Sequence, residues 1–125
     1  MGNQNSQPKA ELKHRAYRYS IKILEFIDNA SNDICTGVIA KQLLRSATSI
    51  GANIIEAKGA SSKRDFTNFF SHSLKSANES LYRLGLLRDA KKINNPQLEY
   101  LLKETTELAN IIGASILTLK GKKKL

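Results

Sequence analysis

Four stretches of this chain place apolar residues three and four apart, and none alternates with the period of two that a half-buried strand shows. That periodicity restricts the chain to helices that each bury one face. The first stretch begins at Pro8, a residue suited to the first helical turn because its missing N–H is not needed there. Its core stripe is Leu12, Ala16, Tyr19, Ile23, Phe26, Ile27 and Ala30. A second, narrower apolar group on the same helix, Tyr17, Ile21 and Leu24, lies about a third of a turn away. A helix apolar over more than about 100° faces two neighbours, so this second group is read as a subunit contact.

Asn29 to Asp33 is a turn of residues that hydrogen-bond their own backbone, with Asp33 or Thr36 as the next cap. The second helix carries Ile39, Leu43, Ala47, Ile50, Ile54 and Ala57, with Cys35, Val38 and Leu44 beside them. Gly51 in its interior costs about 1 kcal/mol relative to Ala, which predicts a close pass by another helix. Gly59 is expected to end the helix in the left-handed conformation. Ser62 and Asp65 then form a capping box. The third helix points Phe66, Phe69, Phe70, Leu74, Ala77, Leu81, Leu84 and Leu87 inward, interrupted by Ser73, Ser76, Asn78 and Glu79. Asn95 and Pro96 are a cap and first-position pair for the fourth, whose stripe runs Leu98, Leu101, Leu102, Thr105, Leu108, Ile112, Ile116 and Leu119. Four long helices with short connections predict an all-α, antiparallel, up-down-up-down four-helix bundle over 8–120. Residues 1–7 read as a polar disordered tail, although Met1 to Ser6 also matches the N-myristoylation pattern, and 121–125 read as a basic tail.

Composition narrows the function. A chain of 125 residues makes one domain and buries roughly two-thirds of its unfolded surface. Its one cysteine, Cys35, allows no internal disulfide and fits a reducing, cytoplasmic setting. No apolar run of membrane-spanning length and no signal peptide is seen. Twenty Lys and Arg against eleven Asp and Glu give a net charge of +9, which attracts polyanions, nucleic acid first. The cations chosen as candidate phosphate contacts are Arg15, Arg18, Lys22, Lys63, Arg64, Lys91, Lys92, Lys122, Lys123 and Lys124. Tyr17 and Tyr19 are candidate stacking surfaces, with Tyr19 on the core stripe.

The residues argue against catalysis. A di-iron bundle needs two Glu-x-x-His motifs, and only Glu11 to His14 fits that spacing. Two histidines and one cysteine, far apart, support no hydrolytic triad, and there is neither a P-loop nor a G-x-G-x-x-G. No metal or cofactor is expected. Within the second helix, Ser49, Asn53 and Glu56 share one side and are read with Ser76, Asn78 and Glu79 as a polar seam that sets helix register. Glu56 and Glu79 as an acid–base pair is the minor alternative.

The stretch Ala47-Thr48-Ser49-Ile50-Gly51-Ala52-Asn53-Ile54-Ile55-Glu56-Ala57 resembles the S-I-x-x-N-I-x-E-G segment of the bacterial 23S rRNA intervening-sequence proteins. Lys63-Arg64-Asp65-Phe66 with Phe69 is similar to that family's S-x-x-E-F-x-x-F start, and Ser76-Ala77-Asn78-Glu79 to its G-S-x-x-E element. Ala57 and Ala60 depart from the Gly and the basic residue common at those positions. The accessory variability proteins of diversity-generating retroelements are more distant relatives. The resemblance implies a bundle that assembles into a homo-oligomeric ring, often a pentamer, with nucleic-acid binding and no catalysis. Together these readings predict a non-enzymatic, homo-oligomeric accessory protein that binds RNA or DNA through a basic surface. The alternative is a scaffold module that docks a protein partner.

Overall fold

The computed structural model describes residues 8–121, with side chains from residue 11 onward. The two expected tails, 1–7 and 122–125, lie outside the described residues. Four helices follow one another: α1 (Pro8–Asp28), α2 (Ile34–Ala57), α3 (Lys63–Ala90) and α4 (Pro96–Leu119). Each packs on its neighbours in the ring α1–α2–α3–α4–α1, with no close backbone approach across either diagonal among the described residues. The connections run 29–33, 58–62 and 91–95, too short for anything but antiparallel neighbours, and the bundle is up-down-up-down as the periodicity predicts.

The caps follow local chemistry. Asp33 is extended and accepts the Thr36 amide at 3.0 Å, so Asp33 is the cap of α2 and Thr36 lies buried inside the helix. Ser62 accepts the Asp65 amide at 3.0 Å, while Asp65 turns back to the Ser61 amide at 3.2 Å. The box is therefore reciprocal across one extra residue. Asn95 accepts the Leu98 amide at 2.8 Å with Pro96 next to it. One expectation fails: Gly59 does not take the left-handed conformation. Lys58, Gly59 and Ala60 instead donate to the carbonyls three residues back, and these tight right-handed turns close α2. Among non-glycine residues, left-handed backbone occurs at Lys92, φ 58°, where the chain leaves α3.

The core stripes lie where the spacing puts them, with local shifts. Leu12, Ala16, Tyr19, Ile23 and Phe26 are buried on α1, while Ala30 lies beyond the end of the helix. On α2 the buried face starts at Thr36 and Ala40; Cys35 and Val38 are exposed, and Ile39 only packs at the edge. Gly51 meets α1: a Cβ there would lie 3.3 Å from the Ala16 Cβ, so the close approach is between the first two helices.

At the centre runs a set of buried hydroxyls. The Tyr19 hydroxyl lies 2.6 Å from the Thr105 oxygen, and Thr105 donates to the Leu101 carbonyl. Since Thr105 has one proton, Tyr19 donates to it. Ser80 lies close to the phenol, donates to the Ser76 carbonyl at 2.9 Å and contacts Ser46 at 2.8 Å. Four helices thus meet through Thr105, Tyr19, Ser80 and Ser46. Burial pushes the Tyr19 phenol up to about 12, despite these hydrogen bonds. Among the described residues, every buried side-chain nitrogen or oxygen has a partner.

Loss of Thr105 leaves the buried Tyr19 O–H without the acceptor it donates to, whereas loss of the phenol leaves Thr105 still donating to the Leu101 carbonyl. Thr105→Val should therefore lower unfolding free energy by about 2 kcal/mol, and Tyr19→Phe by about 1 kcal/mol, in urea titrations followed by circular dichroism. The opposite ranking would contradict the donor assignment.

Candidate nucleic-acid interface

The polar seam between α2 and α3 is made almost wholly of serines. Ser73 donates to the Ile50 carbonyl at 2.8 Å, and Ser76 to the Ser49 hydroxyl at 3.0 Å. Asn53 reaches back one turn to the Ser49 carbonyl and hydroxyl, both at 2.9 Å. Of the expected members, Ser49, Asn53 and Ser76 come together. Glu56 and Asn78 are solvent-exposed, and Glu79 faces Arg83 at 4.0 Å. The register explains the difference. Pairing Ser46 with Ser80 sets Glu79 level with the Ser46 region, ten residues from Glu56 along α2, or about 15 Å at the helical rise. The two carboxylates therefore form no acid–base pair. Among the described residues no group of three or more His, Cys, Asp or Glu is placed to hold a metal ion, and no helix is long and apolar enough to cross a membrane.

The candidate cations divide by their surroundings. Arg15 is gripped by Glu104 at 2.6 and 2.9 Å and by Glu107 at 2.5 Å, a fork that ties α1 to α4. Its pKa is raised, chiefly by the Glu104 hydrogen bond, and two carboxylates compete with any phosphate there. Lys22 lies 3.7 Å from Glu25. Lys91 lies 3.2 Å from Asp33, whose carboxyl is held well below the usual range, first by Ser31 and then by the Thr36 amide. Lys92 occupies the left-handed turn residue after α3. Arg18, Lys63 and Arg64 are exposed and make no ion pair among the described residues. Lys122, Lys123 and Lys124 lie outside the described residues.

Sequence reasoning missed three cations of one pole, Lys13, Lys58 and Lys120. Lys13 on α1 and Lys58 at the end of α2 sit so close that the Lys13 pKa is lowered, the Lys58 ammonium being the main cause. With Lys63, Arg64 and Lys120 they occupy the pole where α1 and α3 begin and α2 and α4 end. None of the five has a carboxylate within ion-pair distance among the described residues. At the opposite pole Arg88 pairs with Asp89 at 2.7 Å and Lys91 with Asp33. The signal available in the sequence was positional: a helix start and a helix end meet in an antiparallel bundle, so Lys13 and Lys58 belong to one pole.

The expected subunit-contact residues Tyr17, Ile21 and Leu24 are exposed, Tyr17 by 68%. On α2, Ile34, Val38 and Ile55 are exposed as well, Ile34 by 85%. Tyr17 and Ile55 line a common groove of about 520 Å³ between the two helices. Tyr19, by contrast, is fully buried, and stacking on a ligand is excluded for it.

Arg15→Ala should cost about 1 kcal/mol of stability in denaturant unfolding, a partly exposed forked pair, while leaving affinity for an oligonucleotide unchanged within about twofold. A tenfold loss of affinity with stability intact would reverse the assignment.

The comparisons with known proteins agree with this architecture. A solved structure described as a protein of unknown function from the S23 ribosomal protein family of Bacteroides thetaiotaomicron is similar in fold, with a TM-score of 0.77. It is 35% identical in sequence, and the match covers 84% of this chain and 97% of that one. No curated protein matches the chain. The family profile described as 23S rRNA-intervening sequence protein matches residues 9–114, nearly the whole bundle. The chain belongs to the 23S rRNA-intervening sequence protein family.

Proposed function

We propose that this protein is a non-catalytic, homo-oligomeric accessory protein that binds nucleic acid, RNA foremost, through phosphate contacts. The observation that carries the reading is the pole formed by Lys13, Lys58, Lys63, Arg64 and Lys120, none of which has a carboxylate within ion-pair distance among the described residues. Like charges held together in water cost stability and are useful to a polyanion ligand. Three further lysines, Lys122, Lys123 and Lys124, follow Gly121 in the chain. The family's description as 23S rRNA-intervening sequence proteins supports RNA over DNA.

Self-association rests on a different face. The apolar side chains Tyr17, Ile21 and Leu24 on α1 and Ile34, Val38 and Ile55 on α2 remain in water in the single chain. Tyr17 and Ile55 border one groove, and exposed apolar side chains gathered in this way support an interaction site. A ring, with five subunits as its form, would repeat the cationic pole around an axis and multiply weak phosphate contacts.

Filter binding of labelled RNA over a salt series checks the first part. Affinity should fall with rising salt by about 0.7 to 0.9 log units per log unit of salt for each phosphate contact. The double charge reversal Lys63→Glu with Arg64→Glu should weaken binding at least about tenfold at low salt. Absence of binding at low salt, or salt-insensitive binding, contradicts the reading. For the second part, light scattering should give a mass of several chains for the wild type and one chain for Ile21→Glu with Ile55→Glu. A monomeric wild type contradicts the ring.

A further inference from the structure

Between α3 and α4, away from the apolar face of α1 and α2, lies a trough of about 660 Å³. Ser71, Lys75, Asn78 and Tyr82 line it from α3 at intervals of four, three and four, hence along one helical face. Eleven residues of helix make that face about 16 Å long. Its floor is apolar, from Leu74 and Ile116, and Lys120 of α4 stands at the end nearest the cationic pole. Lys122, Lys123 and Lys124 follow Lys120 by covalent connection after Gly121.

The charges along the trough are one-sided. Lys75 and Lys120 make no ion pair among the described residues. Arg83, at the far end, spans the Gln42 carbonyl at 3.4 Å and Glu79 at 4.0 Å, which leaves Glu79 neutralised rather than repelling an anion. Tyr82 is 68% exposed beside Arg83. One exposed tyrosine on a surface is ordinary. A tyrosine in a trough with three cations, a neutralised acid, an amide and a hydroxyl is the combination that holds bases and phosphates together. The unpaired Lys75 and Lys120 favour a polyanion over a protein partner.

We infer that the α3–α4 trough is the path of a single-stranded nucleic acid, with a base stacked on Tyr82 and phosphates on Lys75 and Lys120. This rests on the nucleic-acid reading above and adds to it the strand type and the site. A tyrosine face can receive only a base that is free of its pair, so a duplex, whose bases are stacked on each other, gains nothing from Tyr82. Asn78 and Ser71 present donors and acceptors along the same face for base edges or sugars. The trough is lined from α3 and the end of α4, whereas the apolar side chains of the assembly reading lie on α1 and α2.

The test is fluorescence anisotropy on the full chain with a short labelled oligouridylate, the matching oligodeoxythymidylate and an RNA duplex of the same length. Tyr82→Ala should weaken binding of the single strand about tenfold, as loss of one stacked base does. Tyr82→Phe should restore it, and duplex binding should stay unchanged. Lys75→Ala should instead reduce the salt slope by about one contact without altering the response to Tyr82→Ala. Circular dichroism and light scattering on each variant guard against loss of fold or assembly, since Tyr82 is exposed and unburdened by core packing. Wild-type affinity in Tyr82→Ala, with the Lys63 and Arg64 reversals still weakening binding, overturns the trough and spares the wider function. Failure of every probe to bind the wild type overturns both.

Discussion

The buried hydroxyl chain through Thr105, Tyr19, Ser80 and Ser46 is the constraint on which the rest depends. Apolar stripes tell four helices to pack but leave them free to slide or rotate at small cost. A buried hydroxyl without a partner costs far more, so each of these groups accepts only one register. The Ser73 bond to the Ile50 carbonyl and the Ser76 bond to Ser49 extend the same restriction along α2 and α3. The Arg15 fork to Glu104 and Glu107 does so from outside, between α1 and α4.

Once register is set, the outer faces have fixed contents. The α1 and α2 helices expose Tyr17, Ile21, Leu24, Ile34, Val38 and Ile55, and Lys75, Arg83 and Lys120 line the trough between α3 and α4. The end where Lys13 meets Lys58 collects cations with no ion-paired acid among the described residues, while the other end pairs Arg88 with Asp89 and Lys91 with Asp33. A net charge of +9 is therefore distributed unevenly, and its unpaired share, not the total, is what a phosphate backbone would meet.

What could be read in the sequence was what local rules decide. Three caps, four helices and most of the core stripes follow from bonds and spacings within one or two turns. What escaped was set by partners far away in the chain. Arg15 looked like a free basic edge because Glu104 stands 89 residues away. Ser73 and Ser76 looked like interruptions of a core stripe, yet with Ser80 they form a stripe of their own that faces α2. Glu56, Asn78 and Glu79 fitted the helical spacing of a seam, but carboxylates and amides this long are satisfied at the surface, where the serines' smaller hydroxyls allow close packing inside. Gly59 invited a left-handed turn that three short-range amide bonds made unnecessary.

The central claim is that different faces of the bundle serve assembly and strand binding. Hydrogen–deuterium exchange on the assembled protein, with and without saturating single-stranded RNA, tests it directly, because it reports each helix separately. The account predicts that RNA slows exchange around Ser71 to Arg83 of α3, the last turns of α4 and the pole at Lys13, Lys58 and Lys63, and leaves the second half of α1 and the first half of α2 unchanged. Slowing by RNA confined to α1 and α2, with α3 and α4 indifferent, would contradict it.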